Sequence, residues 1–214
     1  MRKKSVAVLD YGIGNLKSVV SAIEYIGSSA FCSSSIDDFT HTDALIIPGV
    51  GAFQHGMNAI RKHNFDHFVA SYQLSGRPIL GICLGMQLLL SDSSEFGLAE
   101  GLNIIPGKVR KLTDDDFGGS TLKLPHVGWS TLKFKTDRTE IEDKFLLNIS
   151  EEDYFYFVHS FAAQTSPQNS LAHTSYRAVK FTSIISNENV IGVQFHPEKS
   201  GEIGLTMLSN FINL

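Results

Sequence analysis

The sequence predicts an α/β fold: a mostly parallel open sheet with helices on both faces. Three observations carry this. Short apolar runs rich in β-branched residues alternate with segments of helical periodicity through the first half of the chain. Each run ends in a turn containing glycine or proline. The runs are apolar enough to be buried on both faces, as parallel strands under helices are. With 214 residues, 43% hydrophobic and 19% charged, the chain can build one well-cored domain, and without repeats or long linkers that domain is expected to span residues 1–214.

Ser5–Leu9 reads as the first strand, closed by Asp10 and Gly12. Leu16, Val19, Val20, Ile23 and Ile26 predict a helix over Asn15–Ile26, with Gly27 as its stop. Ala44–Ile47 is a second strand, broken by Pro48-Gly49-Val50-Gly51, and Met57, Ile60, Phe68 and Val69 predict a helix over Gln54–Gln73. Pro78–Ile82 is a third strand, with a helix over Leu84–Ser91 directly after it. Shorter strands are expected at Ile104–Arg110, Leu122–Leu124, Thr131–Phe134 and Tyr154–Val158. Ser183–Ser186 and Val190–Phe195 read as a hairpin around Asn187-Glu188-Asn189, and Gly201–Leu214 as a closing amphipathic helix. In such folds ligands bind at the carboxyl ends of the parallel strands, so the residues after Leu9, Ile47 and Ile82 matter most.

Charge and composition narrow the function. Eighteen Lys and Arg against 22 Asp and Glu give a net charge of −4, and no basic run exceeds Arg2-Lys3-Lys4. Nucleic acid and anionic membranes are therefore poor partners. No apolar stretch approaches the ~18–20 residues of a membrane span. Asp10 and two glycines interrupt any signal-peptide core, so a cytoplasmic location is expected. Two cysteines supply neither a disulfide framework nor a four-cysteine metal site, and both are expected as free thiols. No metal or cofactor is expected.

Gly81-Ile82-Cys83-Leu84-Gly85 places a cysteine between glycines where a strand turns into a helix, the cysteine form of the nucleophile elbow. Side chains at the glycines would collide with neighbouring backbone. The helix N-terminus behind the sulfur favours thiolate. Cys32, in a Ser-rich segment, has no such turn. A thiolate nucleophile needs a base and a group to orient it. His196-Pro197-Glu198 supplies both, since residues i and i+2 of an extended segment share a face. Pro48-Gly49-Val50-Gly51 offers backbone N–H groups to a developing oxyanion, with glycine at 49 and 51 making peptide rotation easy.

Other templates fit less well. Gly12-Ile13-Gly14-Asn15-Leu16-Lys17 has Lys17 where a dinucleotide fingerprint needs glycine and Leu16 where a P-loop needs it. His196-Pro197-Glu198 has the H-x-E form of a zinc deaminase without its P-C-x-x-C partner. A cysteine peptidase-like thiol hydrolase remains open on the triad alone.

Five ordered blocks resemble the triad (class I) glutamine amidotransferases, and within them the glutaminase subunits of imidazole glycerol phosphate synthases. They are Asp10–Leu16, Pro48–Phe53, Gly81–Gln87, Pro125–Trp129 and Gly192–Ser200. The resemblance implies a flavodoxin-like sheet and hydrolysis of L-glutamine to glutamate and ammonia through a cysteine thioester. It implies Cys83 as nucleophile, His196 as general acid/base and Glu198 as its orienting carboxylate. Backbone groups of Gly49, Val50, Gly51 and Leu84 would hold the oxyanion, and Gln87, Glu95, His159, Ser160 and Phe161 would contact glutamine. Asn15, Trp129 and Lys199 would lie at the subunit interface and ammonia exit. The implied partner is a (β/α)₈ cyclase subunit in a heterodimer that forms imidazole glycerol phosphate and AICAR in histidine biosynthesis. Leu124 and Ser130 depart from many relatives and leave room for a paralogue feeding ammonia to a surface-sugar pathway.

Overall fold

In a computed structural model describing residues 3–113 and 122–214, the chain opens with β1 (Ser5–Leu9), α1 (Leu16–Tyr25), β2 (Ser29–Ser33) and β3 (Ala44–Ile47). Helices α2 (Phe53–Lys62) and α3 (Phe65–Leu74) lead to β4 (Ile79–Ile82) and α4 (Leu84–Leu88). The second half holds β5 (Asp92–Ser93), β6 (Ala99–Glu100), β7 (Gly107–Lys111), β8 (His126–Thr131), β9 (Lys133–Phe134) and α5 (Glu140–Phe145). It finishes with β10 (Tyr154–His159), β11 (Phe161–Thr165), β12 (Ser170–Tyr176), β13 (Val179–Asn187), β14 (Val190–Val193) and α6 (Gly201–Ile212).

The parallel strands lie in the order β2-β1-β3-β4-β14, and β13, β11 and β7 extend the sheet through antiparallel pairs. The period of two in β1 divides the core. Val6 and Val8 pack on the face covered by α1 and α6, while Ala7 and Leu9 face α2, α3 and α4. Each large apolar side chain fully buried in these layers stabilises the fold by roughly 1.5–3 kcal/mol. A separate antiparallel pair, β8 with β10, stands beside the carboxyl end of the parallel strands.

The predicted α/β class holds, with corrections to its elements. The Gln54–Gln73 helix is two helices, broken at Asn64, whose φ of 56° is left-handed. Asparagine tolerates that conformation, and the break brings Phe65 and Phe68 onto Phe39, at ring distances of 6.1 and 5.3 Å. The helix expected over Leu84–Ser91 ends at Leu88, because Ile104 and Ile105 N–H bond back to Leu89. Leu122–Leu124 is irregular rather than a strand; Pro125 has no N–H to extend a ladder. For the same reason Pro106 delays β7 to Gly107. Strand pairing divides Thr131–Phe134 between the end of β8 and β9, and the hairpin turn is the pair Glu188-Asn189, Glu188 having a φ of 52°. β14 stops at Val193, not Phe195, and α6 at Ile212.

Candidate active site

Cys83 follows β4 without an intervening residue and forms the N-cap of α4 with φ 54° and ψ −107°. A left-handed φ is unfavourable for a non-glycine residue, and this one is held by packing on both sides. A Cβ on Gly81 would come within 2.8 Å of Gly85 backbone, and one on Gly85 would run into the Ile47 carbonyl. The Cys83 N–H donates to Val193 O at 2.8 Å, which ties the turn to β14. Leu84 takes the first helical position, where its N–H has no acceptor within the helix and is free for a ligand.

The parallel pairing of Ile82 with Val193 ends β4 and β14 side by side, so the His196 segment emerges next to Cys83. His196-Pro197-Glu198 is not extended: Pro197–Lys199 is a 3₁₀ turn with His196 as its N-cap and proline at its first position, where a missing N–H does no harm. This turn, rather than strand alternation, brings Glu198 Oε1 to 2.9 Å from His196 Nδ1. The glutamate side chain is only 2% exposed. Burial opposes charge on His196, but hydrogen bonding to Cys83 and Glu198, and their negative charges, push the imidazole up to about 9. Nε2 makes no hydrogen bond of good geometry among the described residues and remains available to the reacting atoms. The backbone is fixed as well. His196 N–H donates to Tyr156 O in β10 at 2.9 Å, and Ser200 Oγ donates to His196 O at 2.6 Å.

Opposite the sulfur lies the Pro48–Gly51 loop. Tyr11 Oη donates to Pro48 O, and burial pushes this phenol up, with the Cys83 charge adding to the effect. Gly49 is wedged: a Cβ there would strike Tyr11 Oη and come to 3.0 Å from Leu84 Cβ. Gly51 has φ 101° and open space around it, so the two glycines are unequal, contrary to the equal freedom expected of them.

A cavity of about 490 Å³ gathers Val50, Gly51, Cys83, Leu84, Gln87, Glu95, His159, Ser160, Phe161 and His196, a volume suited to a small ligand. Gln87 Nε2 donates to Phe161 O and to Gln194 Oε1, both at 3.0 Å. With both hydrogens used, only its Oε1 is left for a ligand. Glu95 lines the wall while accepting from Phe53 N–H at 2.7 Å, at the start of α2. His159 Nδ1 lies 2.9 Å from Phe161 O and Nε2 3.1 Å from His126 Nδ1. Burial pushes His159 down to about 3 and His126 to about 4, so both are neutral near pH 7.

Asn15, Trp129 and Lys199 do not line the cavity; all three are exposed. Asn15 caps α1 by accepting from Ser18 N–H at 3.4 Å. Trp129 packs edge-on against Tyr156 at 5.8 Å. Cys32 sits exposed on β2, far from this machinery in sequence and structure. Two participants escaped sequence reasoning, Tyr11 and Gln194. The available signal was the same for both, a polar group at the end of a buried apolar strand.

The profile of the family described as Glutamine amidotransferase class-I matches residues 7–214. The chain is 42% identical over 211 residues to the imidazole glycerol phosphate synthase subunit HisH 1 of Legionella pneumophila (strain Lens), covering 98% of this chain and 99% of that protein. It is also 42% identical to the HisH subunit of Methanosarcina barkeri, over 99% of each chain, and 38% identical to that of Bacillus subtilis, over 98% and 96%. Among solved structures, PurLQS from Thermotoga maritima superposes with a TM-score of 0.73 at 18% identity over 99% of each chain. With its cysteine elbow, buried His–Glu pair and glycine loop arranged around one cavity, the chain belongs to the class-I glutamine amidotransferase family.

Proposed function

We propose that residues 1–214 act as one glutaminase domain, the ammonia-producing subunit of an imidazole glycerol phosphate synthase. The Cys83 thiolate attacks the carboxamide carbon of L-glutamine. Backbone N–H groups of Leu84 and of the Val50–Gly51 segment take the negative charge that develops on oxygen. His196 gives its Nε2 proton to the departing NH₂, which leaves as ammonia, and a glutamyl thioester forms. Water then attacks the thioester, His196 receives its proton, and glutamate departs as the thiolate is restored. Glu198 holds the imidazole and stabilises its charged form without itself transferring a proton. Gln87 Oε1, Glu95 and the His159–Phe161 segment line the rest of the glutamine site.

The single observation that carries this reading is Cys83 held at φ 54° beside a His196–Glu198 pair 2.9 Å apart. Near full-length identity of 42% to HisH subunits supports the histidine-biosynthetic role, with imidazole glycerol phosphate and AICAR as products. The partner would be a (β/α)₈ cyclase subunit in a heterodimer. Its docking surface would include the outward face of β8 and β10, where Val127, Trp129 and Tyr154 are 54%, 53% and 58% exposed. Monomeric surfaces rarely leave a contiguous apolar patch of this kind uncovered. That face reaches Val158 on the cavity wall and Tyr156, whose carbonyl holds His196. Lys199, one residue past Glu198, would meet an acid on the partner. No helix among the described residues is long and apolar enough to cross a membrane, in keeping with a cytoplasmic enzyme.

The test is Cys83→Ala in the assembled complex. Glutamine-dependent synthesis should vanish while synthesis from added ammonia persists. Cys32→Ala should leave both unchanged. Appreciable glutaminase activity in Cys83→Ala would remove Cys83 from the mechanism.

A further inference from the structure

Gln194 is fully buried one residue past β14, beside Cys83, which is one residue past β4. Hydrogen-bond chemistry dictates which way its amide points. The Phe161 carbonyl can only accept. The Gln87 side-chain atom 3.0 Å from it is therefore the amide nitrogen, and that nitrogen is also 3.0 Å from the Gln194 side chain. With two donors at Gln87, the facing Gln194 atom has to be its oxygen. The Gln194 nitrogen is then turned toward Cys83 Sγ, 3.7 Å away. The carbonyl that starts this chain of constraints is pinned in turn. His159 Nδ1–H donates to it, His159 Nε2 accepts from His126 Nδ1–H, and His126 Nε2 lies 3.2 Å from Ser130 Oγ.

We propose that Gln194 is a positioning residue for the nucleophile, its amide N–H holding the Cys83 sulfur as thiolate, with the amide itself held in that orientation by the Phe161 carbonyl through Gln87. The inference rests on Cys83 being the nucleophile. An N–H aimed at sulfur stabilises the charged form over the neutral thiol, because a thiolate is much the stronger acceptor. Gln194 contributes no proton to the reaction. It leaves His196 free to serve the leaving group, and it holds the sulfur from the β14 side while the cavity opens in front.

The test uses the full chain, in a Cys32→Ser background so that Cys83 is its only thiol, with turnover measured in complex with the cyclase partner and alkylation followed on this chain by mass spectrometry. Gln194→Met keeps the length and removes the donor; Gln194→Glu keeps the shape and leaves only acceptors at neutral pH. Two readouts are compared: kcat and KM for glutamine, and the rate of Cys83 alkylation by iodoacetamide from pH 6 to 10. For Gln194→Met, kcat should fall about tenfold or more, the range of a hydrogen bond to a charged group, with KM within about threefold. Alkylation at pH 7 should slow by a similar factor and recover toward the unsubstituted rate at high pH. Gln194→Glu should be slower still at pH 7.

A purely structural role would lower turnover without moving the pH dependence of alkylation, so an unchanged alkylation profile in Gln194→Met overturns the proposal. If the methionine variant does not fold, the same measurement on Gln194→Glu decides. A third readout needs no substitution at Gln194: its side-chain amide resonance should move when Cys83 is replaced by alanine, and a stationary resonance overturns the contact. Failure here is distinct from failure of the nucleophile assignment. An inactive Cys83→Ala with a fully active Gln194→Met would sink only the role of Gln194.

Discussion

Two turns face each other across the cavity, and they differ in how tightly backbone packing grips them. After β4, no atom can be added at Gly81 or Gly85 without striking main chain. After β3, Gly49 is gripped by Tyr11 and Leu84, yet two residues later Gly51 stands in open space and Val50 is 43% exposed. The proposed nucleophile is therefore held tightly by the sheet, whereas the proposed oxyanion loop opposite has room to move. The open space at Gly51 and the exposure of Val50 leave a peptide of this loop room to rotate. A partner subunit that adjusts this peptide could switch glutamine hydrolysis on while leaving the thiol undisturbed.

Substitutions on the rigid side should be the most damaging. Gly85→Ala drives a methyl group into the Ile47 carbonyl, and we expect a loss of roughly 4 kcal/mol or failure to fold, read from urea midpoints. A soluble variant within about 1 kcal/mol of the parent would show the turn to be adaptable. At the base, His196→Ala should lower glutamine turnover by on the order of 10⁶, and Glu198→Gln by less, on the order of 10⁴, since the carboxylate only positions and stabilises. Equal losses in two folded variants would contradict that division.

On the adjustable side the expectation reverses. Gly51→Ala should lower stability by about 1–3 kcal/mol, the penalty of a positive φ without a clash. Partner-stimulated glutaminase should nonetheless fall by on the order of 10², the worth of an oxyanion donor. The measurement is steady-state turnover with the partner empty and loaded with its own substrate. Equal loss in both states would mean that the loop is not the switch.

Titration sharpens the same contrast. His196 is raised from 6.5 to about 9, so its charged form contributes stability that is complete below about pH 6.5 and lost as pH rises through about 9. Because the leaving NH₂ needs that proton, kcat/KM should decline over the same alkaline window. A decline centred below pH 8 would show the imidazolium to be less favoured than this geometry requires. His126 and His159 act on the opposite limb, lowered from 6.5 to about 4 and about 3. They contribute stability above about pH 6.5 that drains as the pH falls toward those values. His126→Gln should flatten the acid limb of a stability–pH curve while leaving its alkaline limb in place.

Much of this was legible from residue order. The elbow at Cys83, the glycine loop and the HPE segment each have a local chemical signature, and all three lie where the strand pattern put them. β2 was not legible: Ser29-Ala30-Phe31-Cys32-Ser33 is an edge strand whose polar residues hide the pairing with β1. The means by which Glu198 reaches His196 was misread as alternation on a strand, because proline is compatible with both an extended segment and the start of a 3₁₀ turn. Gln194 carried only the signal of a polar group after a buried strand; its orientation depends on a carbonyl 33 positions earlier, at Phe161.

The parallel register of β4 with β14 also makes the hairpin β13–β14 a ruler. Cys83 and the His196 segment belong to strands about 4.8 Å apart, and their relative advance is counted residue by residue from the Glu188-Asn189 turn. Asn189 O accepts from Ile79 N–H at 2.9 Å, and its Nδ2 donates to Gln73 O and Arg77 O, so the zero of that ruler is nailed to the start of β4. Inserting one residue between Asn189 and Gln194 would invert every side chain beyond it, turning Gln194 away from the sulfur and exchanging the faces of Val190–Val193. Homologous chains should therefore vary in length almost anywhere on the surface before they vary across these few residues, however ordinary a two-residue turn looks in an alignment.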